Sequence, residues 1–201
     1  MNSVCEFDYK KATQAINYLA RREGGQIDKL KLIKLIYLAE RYHLRRHGRP
    51  IVNDTYVAMK FGPVASSVKD IAEMSSDFLD DQEKAYAQAY IQPNGRSNIH
   101  SLAEVDDELF SDSELEALDF AYSEFGSLHQ LKLVDLTHEY PEWKQFEAAL
   151  KAGASRELMS YRDFFKDPEG LVEDKFALPA DLLAASQEMF EEEQKRAQYW
   201  K

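Results

Sequence analysis

Cysteine is nearly missing from the 201-residue chain: Cys5 is the single one. One thiol excludes an internal disulfide and a four-cysteine zinc site, and a cytoplasmic setting is the expectation. Long apolar runs are missing too. None approaches the roughly 20 residues needed to cross a bilayer, so no membrane partner is expected. The opening MNSVCEFDYKKA carries acids early and has no apolar stretch, unlike a secretory leader. Eight glycines never fall into a phosphate-cradling spacing. The HExxH pattern is absent, as are internal repeats and low-complexity tracts. Basic charge is in short supply: 25 Lys/Arg face 36 Asp/Glu, a net charge of −11 and a pI near 5.0. Sequence-independent nucleic-acid binding needs a basic face, so nucleic acid is not the expected partner.

What is present suits one globular domain, or one domain with an extension: 44% hydrophobic and 30% charged residues. The charge is unevenly spread. Residues 1–70 hold 13 Lys/Arg and 7 Asp/Glu, whereas residues 71–201 hold 12 and 29. Either the two parts face and neutralise each other, or a basic surface on an acidic body steers an oppositely charged partner.

The chain is organised around Asp28–Val64. Leu32, Leu35, Ile36, Ala39 and Tyr42 recur at helical steps, and Ile33 and Leu44 widen the apolar side. Lys31, Lys34, Arg41 and Arg45 form another row that includes Leu38. So broad an apolar circumference predicts a central helix, capped by Asp28 and ended by Gly48 and Pro50. Ile51–Phe61 has strand character, Gly62-Pro63 signals a turn, and Val64–Met74 reads as a helix.

Before this core, Phe7–Arg22 reads as a first helix capped by Asp8. After it, Lys84–Ile91 fits helix or strand, and Tyr90–Gln92 with Asn98–Leu102 fits a hairpin across Pro93-Asn94-Gly95. Ser111-Asp112-Ser113-Glu114 is a capping box opening a helix that Gly126 ends. Ser127 is placed to cap the next helix, and Pro141 starts another, which carries Trp143, Phe146, Ala149 and Leu150. Ala154–Lys166 reads as a short helix and Pro179–Lys201 as a long one, whose terminal Tyr199 and Trp200 suggest contact with something. The fold class expected is mainly α (α+β): six to eight helices around one central helix, with a small sheet or hairpin.

Four pieces together resemble the Panacea domain of SocA-like antitoxins: KLIKLIYLAERYHL (Lys31–Leu44), GRPI (Gly48–Ile51), TYVAMKFGPV (Thr55–Val64) and LVDLTHEYPEW (Leu133–Trp143). Their order and separations match as well. The resemblance implies a Panacea-like domain over residues 1–153 with a helical extension at 154–201. It further implies an antitoxin that binds and silences a cognate toxin protein and, as an adaptor, hands it to a cytosolic protease.

Candidate chemistry is sparse. Glu40, His43 and His47 lie on neighbouring helical turns, and a His pair four apart can chelate a metal. Here no further ligand completes the site, and Arg41, Arg45 and Arg46 oppose a cation. Asp135 and His138 are spaced to share a hydrogen bond, but no nucleophile accompanies them. Thr137 and His138 are better suited to bonding backbone before Pro141, fixing where Trp143 docks. No catalytic residue, cofactor or metal is assigned. Tyr56, Met59, Lys60, Phe61 and Pro63 either pack in the core or offer a strand edge and turn to a protein partner. With His138 and Trp143 they are the partner-binding candidates. The rivals are a metal- or His-dependent hydrolase and a phage or DNA-associated structural protein that binds through the basic residues between 21 and 49.

Overall fold

The computed structural model describes residues 7–171 and 173–199; Cys5 and Trp200 lie outside them. Asp8 opens α1 (Tyr9–Arg22) by accepting the Lys11 N–H. Two glycines at positive φ, Gly24 and Gly25, turn the chain into β1 (Gln26–Asp28). Asp28 caps α2 (Lys29–His47), and left-handed Gly48 closes it. The chain continues through β2 (Tyr56–Met59), β3 (Gly62–Ala65), α3 (Ser66–Glu73), α4 (Asp81–Tyr90), β4 (Ile91–Asn94) and β5 (Asn98–Ser101). It ends with α5 (Asp112–Phe125), α6 (Gln130–Thr137), α7 (Pro141–Lys144), α8 (Glu147–Lys151), β6 (Glu157–Leu158) and α9 (Ala180–Tyr199). The fold is mainly helical, with nine α-helices among the described residues and two three-stranded antiparallel sheets, β1-β5-β4 and β3-β2-β6.

α2 is the central helix. Every residue from Lys31 to Arg45 is buried, because α1, α5, α6, α9 and β3 cover it on all sides. This corrects the idea of a basic surface along the helix. Lys34, Arg41 and Arg45 are fully buried, so they are not free to meet nucleic acid. Arg41 sits over the Tyr140 ring and binds both oxygens of buried Glu142, at 2.6 and 2.7 Å; Tyr37 donates to the same carboxylate at 2.5 Å. Arg45 donates to the Phe164, Lys166 and Phe176 carbonyls and to Asp167. Ion pairs Lys11–Glu114, Arg21–Glu104, Arg22–Asp119 and Lys29–Glu73 likewise join the basic first part to the acidic remainder. The uneven charge is therefore partly neutralised inside the molecule.

Several local expectations shift. The strand expected over Ile51–Phe61 contracts to Tyr56–Met59, and the turn falls at Lys60-Phe61 rather than Gly62-Pro63. Neither turn residue has positive φ. Gly62, at 95°, supplies the left-handed step that restarts the ladder, and Pro63 is tolerated because β3 is an edge strand. The 81–90 segment is helix because Asp80 and Glu83 form a reciprocal capping box. The β4–β5 turn is at 95–97. His129, not Ser127, caps α6. The helix expected from Pro141 breaks after Lys144 into α7 and α8. Over 154–166 the helical expectation fails: Leu158 pairs with Val57, the Met159 N–H bonds the Tyr56 carbonyl, and only Tyr161–Phe165 winds into a 3-10 turn. Pairing with an open strand edge outweighs helix propensity there. Tyr199 is 89% exposed, so the described residues do not bury it.

Candidate partner-binding face

The β2–β3 hairpin and the α6–α7 corner meet at one place. The Trp143 indole N–H donates to the Met59 carbonyl at 2.9 Å, fastening the end of β2. His138 lies flat on Trp143, with ring centroids 3.5 Å apart and planes within 3°. The sequence reading had Thr137 and His138 hydrogen-bonding backbone to fix Trp143. The Thr137 hydroxyl does bond backbone, the Val134 carbonyl of its own helix. His138 acts by stacking, and its buried Nε2 has no partner among the described residues. Asp135 pairs with Lys132 rather than with His138.

On the other side of the hairpin, Lys34 reaches up from α2 and donates to the Pro63 carbonyl at 2.8 Å. Among the described residues no strand lies beyond β3, so this edge carbonyl is satisfied by a side chain. A Cβ on Gly62 would stand 2.8 Å from both the Lys34 ammonium and the Thr137 hydroxyl. Glycine is therefore required here by space as well as by φ. Lys34 is fully buried and forms no ion pair among the described residues. Desolvation lowers its pKa to about 7. Burial and then the nearby Lys34 charge push the His138 imidazole below its ordinary value.

The candidates thus separate into two groups. Tyr56, Pro63 and Trp143 are buried: Tyr56 packs against Tyr37, Tyr161 and Phe164, and the other two hold the hairpin. Lys60 and Phe61 form the exposed tip, with Phe61 54% exposed; Met59 and His138 are partly exposed. Beside the tip opens a groove of about 380 Å³, lined by Lys60, His138, Trp143, Glu147, Leu150 and Lys151. The sequence does not assign Lys34, Glu147, Leu150 or Lys151 to this face. A lysine in a row shared with Leu38 was the available signal for Lys34, and the break after Lys144 hid the α8 face.

The other candidate chemistry is dispersed into structural bonds. Glu40 accepts the Ile51 N–H at 3.0 Å and the Tyr161 hydroxyl at 3.1 Å; burial raises its pKa to about 7. His43 bonds the Arg49 carbonyl through Nδ1 and the Ser113 hydroxyl through Nε2, and desolvation lowers it to about 4. Asp54, also missed, gathers the Thr55, Ser67 and Val68 N–H groups at the start of α3. Among the described residues no three His, Cys, Asp or Glu side chains come together as metal ligands, and no helix is long and apolar enough to cross a membrane.

A family model described as "Antitoxin SocA-like, Panacea domain" matches residues 32–144, from the second turn of α2 to the end of α7. No curated protein and no solved structure matches the chain.

Proposed function

The chain belongs to the antitoxin SocA-like, Panacea domain family, and from that premise we propose that it is a cytoplasmic protein-binding regulator that silences a cognate toxin by direct contact. The face in contact is the hairpin tip and its groove. The observation that carries the location is a turn held from both sides, by Trp143 on Met59 and by Lys34 on Pro63, with Lys60 and Phe61 left at its apex. A fixed aromatic tip beside a groove suits protein recognition, because little ordering remains to be done on binding. Residues 1–153 act as the domain proper and 154–201 as a segment packed on it, supported by the Arg45 bonds to the Phe164, Lys166 and Phe176 carbonyls. Delivery of the captured toxin to a cytosolic protease is a further part of the proposal and rests only on the resemblance to SocA-like adaptors.

The test is co-expression with the toxic product of the neighbouring reading frame. The chain should restore growth and co-purify with the toxin, and Phe61→Glu should abolish both while leaving the circular dichroism spectrum unchanged. Absence of rescue, or rescue without a complex, overturns direct neutralisation. Rescue that survives Phe61→Glu moves the contact to another face.

A further inference from the structure

The groove brings lysines together on an acidic molecule. The protein carries a net charge of −11, yet Lys60, Lys151 and buried Lys34 surround this spot, with Glu147 the one acid in its lining. Nearby lysines are already engaged: Lys144 holds Glu139 at 2.9 Å, and Lys132 lies against Asp135. Lys60 has no carboxylate partner among the described residues; its ammonium stands 5.8 Å from the Phe61 ring. The Lys151–Glu147 pair, at 2.8 Å, is exposed on the rim, where such a pair is weak and readily exchanged. Between these charges lie apolar surfaces: the Trp143–His138 stack, Leu150 and Phe61.

We propose that this groove receives an acidic–apolar segment of the protein partner, a carboxylate next to a large apolar side chain. Lys60 and Lys151 meet the carboxylate, and His138, backed by buried Trp143, takes the apolar group together with Leu150. The inference rests on the protein-binding reading above and names the chemistry of the segment bound. On an acidic body, an acidic segment gains most where a lysine stands without a carboxylate partner, and Lys60 at this groove is such a lysine. That fixes the register of the complex, which is what complementary charge mainly contributes to an interface.

Fluorescence anisotropy on the full chain tests this with three labelled probes. These are the peptide Glu-Leu-Asp-Phe-Glu-Leu, its amide twin Gln-Leu-Asn-Phe-Gln-Leu, and a six-nucleotide oligothymidylate. The acidic peptide should bind about tenfold more tightly than its twin, and Lys60→Glu with Lys151→Glu should weaken it about tenfold. Lys132→Glu, on exposed α6, should leave it unchanged. Should the double variant fail to fold, Lys60→Gln is read in the same way. Equal binding of the twins overturns the inference, as does no peptide binding at millimolar concentration, insensitivity to the Lys60 change, or preferential binding of the oligonucleotide. Co-expression separates the two readings: a chain that rescues growth but ignores the peptide keeps the antitoxin function and loses the acidic groove.

Discussion

Replacing Lys34 with methionine should make the protein more stable at neutral pH. The side chain is fully buried, and the Pro63 carbonyl is its hydrogen-bond acceptor. Burial brings its pKa from 10.5 to about 7, which corresponds to roughly 3–5 kcal/mol of folding free energy lost at pH 7. Methionine fills a similar volume without that charge. It forfeits a bond worth about 1–2 kcal/mol and leaves an edge carbonyl unpaired. The net gain is about 1–3 kcal/mol, or roughly 3–10 °C in Tm for a chain of this length. Because the folded pKa is depressed, the wild-type contribution is complete only above pH 10.5 and is lost as pH falls to about 7. Wild-type stability should therefore rise between pH 7 and 10.5, and Lys34→Met should flatten that slope. Urea titrations across this range measure both effects. A variant less stable than wild type at pH 7, with the slope intact, would refute the view of Lys34 as a buried, destabilising cation.

Glu40→Gln should act on the acid side. Burial raises the folded pKa from 4.5 to about 7, so the favourable contribution is full below pH 4.5 and disappears as pH climbs through 7. The variant should remove a decline of up to about 3 kcal/mol across that window, read from urea midpoints. Glu142→Ala strands buried Arg41 and should cost about 3–5 kcal/mol, whereas Arg41→Met combined with Glu142→Leu should cost far less, as thermal melts can show. Gly62→Ala should cost clearly more than Gly24→Ala in chemical denaturation. Both glycines have φ above 90°, but a Cβ at Gly62 meets the Lys34 ammonium at 2.8 Å while one at Gly24 meets nothing within 4 Å.

The helical frame was legible because its signals are local. Asp8, Asp28 and the Ser111–Glu114 pair are caps whose partners lie three residues away, and Gly48 ends α2 by its own backbone preference. Residues 154–166 were misread because their conformation is set at a distance, by β2 offering an edge to Leu158. The basic row of α2 was misjudged for the same reason. No local rule tells that Glu142, more than a hundred residues away, waits for Arg41, or that Arg45 closes the ends of three carbonyls in the last quarter of the chain. The candidate face fell between these cases. Met59, Lys60, Phe61, His138 and Trp143 do come together, but their roles divide only in three dimensions into those that hold and those that are exposed.

That division connects the destabilising residues to the proposed function. β6 pairs with β2 only at Val57 and Ala58, so the end of the hairpin from Met59 to Pro63 extends past the third strand and relies on side-chain anchors. Here β2 is fixed through the Met59 carbonyl by Trp143, and β3 through the Pro63 carbonyl by Lys34. The second anchor is costly, because it places a desolvated ammonium beneath the hairpin. A hydroxyl or amide on α2 is shorter than lysine and would leave the Pro63 carbonyl unreached, while methionine would leave it unpaired. Lysine at this position therefore trades stability for a fixed tip carrying Lys60 and Phe61. Such a trade is expected at binding faces rather than in cores that only need to pack.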